Sequence, residues 1–243
     1  MPFLPPSRRA VTPGGRGRFA GFDVLSELDR WDDVTAGVIL ARLDPQPDYS
    51  FFTPAEQATA DALFDRLLAQ DKEPKVPVLQ LVDQRLALDM TDGWFYEDMP
   101  EDTDAWRVTL AALDDDARHK HGAPFHALPW GDQAVLLQGI ADAEAWHGLK
   151  AGHVWSLWTR YACAAFYSHP WAWNEIGFGG PAYPRGYKNI GVDARERWET
   201  PDRVDHDPVG WAERAEQARR SRQALTPSPD DSETDQSQGT LLG

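Results

Sequence analysis

Three histidines, His119, His121 and His126, stand close enough in the chain to suggest the start of a zinc site. Zinc takes three or four converging ligands. No cysteine or Glu-x-x-His companion stands nearby, and His119 and His121 come just before Gly122, where a cationic imidazole complements the negative end of a helix. The solvent-facing reading therefore outweighs the metal. His147 and His153 flank a strongly apolar run and read as capping or surface residues. Asp114-Asp115-Asp116 and Asp230-Asp231 lack the turn glycine and distal glutamate of a calcium loop and read as solvated faces. There is no G-x-S-x-G motif, and Cys163, between Ala162 and Ala164, reads as a small buried thiol. Gly177-Phe178-Gly179-Gly180 lacks both the preceding strand and the Lys-Ser/Thr that a phosphate cradle requires. The expectation is a chain with no catalytic residue, metal or cofactor of its own.

What these exclusions leave is the stretch Tyr167 to Trp198. Its candidate binding residues are Trp171, Trp173, Asn174, Phe178, Pro181, Tyr183, Pro184, Arg185, Tyr187 and Lys188. The aromatics admit three readings. They pack the loop onto the rest of the protein, or form a sugar-stacking platform, or anchor another protein, since interface cores are enriched in Trp, Tyr and Arg. Arg185 and Lys188 between the rings suit the third. Composition divides the readings about evenly, so a carbohydrate-binding module through Trp171, Trp173 and Tyr183 stays open. A His-dependent metalloenzyme is the remaining alternative.

The elements that must position this stretch are helices. Val24, Leu25, Leu28 and Trp31 fall at helical spacing within 22–43. Thr53-Pro54-Ala55-Glu56 combines an N-cap, a first-turn proline and a capping-box glutamate. Behind it Ala60, Leu63, Phe64, Leu67 and Leu68 share a face. A helix from about Pro77 should bury Val78, Leu81, Val82 and Leu86. Another, after Asp102, should bury Trp106, Leu110 and Leu113 and stop before Gly122. Pro129 to Ala141 should bury Val135, Leu136 and Ile140. Ala151 to Tyr167 is the most apolar run and should be the central helix. No alternating strand runs or fixed-period repeats stand out. The fold class predicted is mainly α, an up-and-down helical bundle. Beyond Pro170, Gly, Pro and aromatic residues over 171–191 predict an ordered loop without helix. The organisation expected is a flexible basic arm (1–22), a helical domain (23–200), a polar helix (201–225) and a disordered acidic tail (226–243).

The totals bound the function class. With 42 % hydrophobic residues in 243, the chain can bury a substantial core, and 11 Trp are many for this size. A formal charge of −15 argues against nucleic acid and against an anionic membrane surface. The single cysteine excludes an internal disulfide. Arg8-Arg9 is the dipeptide of a twin-arginine signal, but residues 10–22 lack the apolar segment such a signal needs. A cytoplasmic location is expected. A periplasmic or extracellular one is the alternative if Arg8-Arg9 acts as an atypical signal.

Several short runs, taken in order, resemble the gluconate 2-dehydrogenase subunit 3 family. They are Phe52 to Glu56, Leu128-Pro129, Phe166 to Pro170, Asn174 to Gly177 and Pro184 to Gly191, and the resemblance covers about residues 50–195. It implies a small, cofactor-free helical subunit that accompanies a large FAD-containing GMC-type oxidoreductase acting on sugars, glycosides or sugar acids, often with a cytochrome c subunit. The small subunit of that family is thought to aid folding, flavin loading or export of its partner. The Arg-rich N-terminus, without an apolar segment, and the acidic tail depart from the family pattern. The residues carried over form a docking segment and not a catalytic set.

Overall fold

Thr53 opens the first long helix as the sequence predicts. In the computed structural model its Oγ1 accepts the Glu56 N–H at 3.4 Å, and Glu56 Oε2 accepts the Thr53 N–H at 2.8 Å, which satisfies two end donors reciprocally. The structure describes residues 11, 19, 21–43, 45, 49–189, 191 and 194–201, all within one unit spanning 1–201. The expected polar helix and acidic tail, apart from Pro201, and most of the basic arm lie outside the described residues. Two residues of the arm, Val11 and Phe19, are buried.

In chain order the α-helices are α1 (Asp33–Leu43), α2 (Pro54–Leu67), α3 (Val78–Ala87), α4 (Asp102–His121), α5 (Trp130–Ala141), α6 (Ala151–Tyr167) and α7 (Pro170–Ile176). The fold is mainly α, as expected. One two-stranded hairpin, β1 (Ala145–Trp146) and β2 (Leu149–Lys150), precedes α6. Strands of two residues are too short to show alternation. Their turn rests on His147 and Gly148, both at positive φ.

The inward faces follow the predicted spacing with a few shifts. Trp106, Leu110 and Leu113 of α4 are fully buried, and the helix stops at Gly122 in the left-handed region (φ 74°). In α5, Leu136 and Ile140 point inward as expected, but Val135 is 71 % exposed and Leu137 takes its place in the core. α6 has the boundaries the sequence predicts and packs against α2, α3, α5, α7 and the hairpin. Its buried face is Val154, Leu157, Trp158, Tyr161, Ala162, Ala165 and Phe166. Cys163 faces solvent instead of the core, because at 100° per residue it lies opposite that stripe.

Several polar groups inside the bundle are paired, although the indole N–H of the fully buried Trp106 has no hydrogen-bond acceptor among the described residues. The Asp83 carboxylate of α3 accepts the N–H groups of Ser50, Phe51 and Phe52 at 2.8–3.2 Å and so fixes the entry to α2. Trp158 Nε1 donates to Thr109 Oγ1 (3.1 Å), and the Tyr161 hydroxyl donates to the Asp102 carboxylate (2.6 Å). Among the described residues no helix is long and apolar enough to cross a membrane.

The segment predicted as one helical pattern over 22–43 is two elements. A 3₁₀ turn (Val24–Arg30) leads through Trp31 into α1. Val24, Trp31 and Ile39 join Trp173 of α7 in a second, smaller apolar cluster.

Candidate functional site

Residues 171–176, read from sequence as non-helical, form most of α7. Averaging over 171–191 hid the arrangement, since the first Gly or Pro after Pro170 is Gly177. Pro170 occupies the first helical turn, His169 Nδ1 accepts the Trp171 N–H at 3.2 Å, and Gly177 caps the other end at φ 70°. The ordered loop expected from the sequence therefore begins at Gly177.

Part of the candidate set faces inward. Trp173 is buried in the second cluster, donates its Nε1–H to the Tyr167 carbonyl at 2.6 Å, and meets the Phe178 ring edge-on at 5.4 Å. Asn174 is also buried. Its Oδ1 accepts the Val24 N–H at 2.8 Å, and its Nδ2 donates to Asp23 Oδ1 at 3.3 Å. Trp171 is half-buried against the main core and contacts the His169 ring. With Trp173 inside, Trp171, Trp173 and Tyr183 do not line up as a solvent-facing platform for a sugar.

Arg185 organises the rest of the loop. Its guanidinium pairs with Glu27 (3.0 Å), donates to the carbonyls of Gly179 (2.9 Å) and Pro181 (2.8 Å), and lies over the rings of Trp198 (4.0 Å) and Trp31 (5.2 Å). Trp31 Nε1 donates to the same Pro181 carbonyl at 2.9 Å. Gly179 and Gly180 are glycines because the backbone runs against indoles: a Cβ at Gly180 would overlap Trp31, and one at Gly179 would overlap Trp198. The Lys188 N–H reaches Glu196, and the Tyr187 ring rests on Trp198 at 5.2 Å.

The side chains left facing solvent are Phe178, Tyr183, Pro184, Tyr187 and Lys188, with Tyr183 67 % exposed and Pro181 intermediate. They are large aromatic groups on a backbone pinned from beneath. Such a surface loses little entropy when a partner covers it.

The histidines lie elsewhere. His119, His121 and His126 are exposed at the end of α4 and beyond it, and His121 Nδ1 is 3.9 Å from Asp132. His147 contacts Asp116 (3.1 Å); His153 contacts Asp98 (2.7 Å) and stacks on Tyr96 at 3.6 Å. Among the described residues no three His, Cys, Asp or Glu side chains converge as a metal site would require. The deepest histidine is His169, which has no exposed surface; burial, with the Arg42 guanidinium nearby, pushes its pKa down to about 4.

Sequence reasoning missed a second exposed apolar surface. Leu88, Met90, Trp94 and Phe95, on the connection between α3 and α4, are 49–70 % exposed. The run Gly93-Trp94-Phe95-Tyr96 between two helices was the available signal, since a solvated linker has no need of three adjacent aromatics.

No curated protein and no solved structure matches the chain. The family described as gluconate 2-dehydrogenase subunit 3 matches residues 54–180. That stretch starts at the first residue of α2 and ends in the loop at Gly180, short of the Pro184–Gly191 run that contributed to the resemblance. It leaves out the N-terminal segment that packs on α7. The match takes in α2 through α7 and more than half of the sequence, so the chain belongs to the gluconate 2-dehydrogenase subunit 3 family, whose name is that of an accessory subunit.

Proposed function

We propose that this chain is the non-catalytic small subunit of a flavin-dependent dehydrogenase. It binds a large GMC-type flavoprotein acting on sugars, glycosides or sugar acids and supports that protein's folding, flavin loading or assembly. Family membership over α2 to α7 carries the reading. The loop agrees with it: Phe178, Tyr183 and Tyr187 face outward from a backbone fixed by Arg185 and Trp31, and preorganised aromatic anchors of this kind supply most of the energy of protein interfaces. On this reading FAD sits in the large subunit, and so does the chemistry.

The test is to express the large flavoprotein with and without this chain and to compare soluble yield, flavin per polypeptide and turnover. The proposal expects the three to fall together when the chain is omitted. A large subunit equally soluble, flavinated and active alone would overturn it.

A further inference from the structure

The α3–α6 face carries a cleft of about 330 Å³ that the loop reading does not use. Leu81 and Val82 of α3, Ala164 and Ala165 of α6, and Leu88 and Met90 on the following connection line it. The connection is held firmly. Arg85 Nε donates to the Met90 carbonyl at 2.6 Å, Asp92 pairs with both Arg85 and Arg160, and the Arg160 guanidinium lies over Trp94 at 4.5 Å. The exposed apolar side chains of 88–95 are thus presented on a braced backbone. Leaving four large apolar groups in water on a fixed backbone has a standing cost, and a bound partner removes it.

The cations of the cleft say what that partner must carry. Arg85 is neutralised by Asp92. Arg42 is different: it donates to the Ser168 carbonyl at 3.0 Å, and no described carboxylate lies within ion-pair reach of it. Among the described residues no acidic one lines the cleft, although acids outnumber bases 39 to 24 in the whole chain. An occupant that covered Arg42 without neutralising it would bury a lone charge, which is strongly unfavourable. Apart from Arg42, the cleft and its rim lie inside the stretch 54–180 that the family shares, whereas Tyr183 and Tyr187 lie beyond it. Arg42 also reaches toward Trp173, 5.9 Å from its ring centre, so the cleft adjoins α7.

We infer that this cleft is a second docking surface for the flavoprotein partner, and that it takes a segment with apolar side chains and one carboxylate directed at Arg42. This rests on the subunit reading above. Apolar side chains of the segment sit on Leu88, Met90 and the wall of α6, and its carboxylate pairs with the guanidinium. The interface then spans the α3–α6 face as well as the loop.

Photocrosslinking separates this inference from the subunit reading. Met90, and in a parallel chain Tyr183, is replaced by benzoylphenylalanine in the full-length protein co-expressed with the large flavoprotein. Both positions should crosslink to it, and Leu88→Asp should weaken the complex about tenfold or more without lowering the melting temperature of this chain, because Leu88 is a surface residue. A stable complex that crosslinks from position 183 but not from 90 overturns the cleft assignment and leaves the subunit reading standing. Failure to form any complex overturns both. Dodecanoate is the control for a small amphiphilic carboxylate: saturable quenching of tryptophan fluorescence on the isolated chain, lost in Arg42→Gln, would assign the cleft to such a ligand and overturn the docking role.

Discussion

At the scale of single residues, polar side chains here mostly pin backbone in place. Asp83 gathers three N–H groups ahead of α2, Asn174 holds the start of the 3₁₀ turn, and Arg185 ties the loop to Glu27 and two carbonyls. His169 is a buried residue whose state depends on pH. Its buried neutral imidazole accepts the Trp171 N–H, and its pKa is lowered to about 4, against about 6.5 in an unfolded chain. Because the folded value is the lower one, the stabilising neutral form is fully present above pH 6.5. The contribution is lost as the pH falls from 6.5 through 4, a loss of order 3 kcal/mol by linkage. Urea unfolding of the native chain and of His169→Asn, which retains an N-capping side chain, should show the native protein losing more stability between pH 7 and pH 4. Parallel pH profiles would mean that His169 does not titrate between the two states.

At the scale of elements, the loop and the N-terminal segment depend on each other. Gly180 is in the left-handed region (φ 77°) with the Trp31 indole against it. Gly180→Ala should therefore cost about 2–4 kcal/mol through backbone strain and overlap. Hydrogen exchange should show that cost as faster exchange over 21–43 and 177–189, with α4 and α6 unchanged; uniform loss across the bundle would disprove the local coupling. The start of α2 and the boundaries of α4, α5 and α6 were legible in the sequence because caps, glycine stops and apolar spacing are local signals. α7 was not, because the glycines and prolines after it dominated the composition of the stretch. The division of the loop residues was also beyond local reading. Trp173 is drawn inward by Val24, Trp31 and Ile39, more than 130 residues away in sequence, while Tyr183 has no such cluster to join. Val135 and Cys163, expected inside, both face out, and for Cys163 the helical spacing itself carries that signal.

For the whole molecule, the charge of −15 argues against polyanionic partners, and the family name points to a dehydrogenase complex. The aromatic loop and the α3–α6 cleft, adjoining through Arg42 and Trp173, form the surface proposed to meet the flavoprotein. Docking through the loop is tested most directly by titration calorimetry of the purified large subunit with this chain and with the double variant Tyr183→Asp/Tyr187→Asp. Both tyrosines are more than half exposed, so the variant should fold and melt as the native chain does. Its affinity should fall at least about tenfold, or 1.4 kcal/mol. A double variant that binds the flavoprotein as tightly as the native chain would contradict docking through the loop.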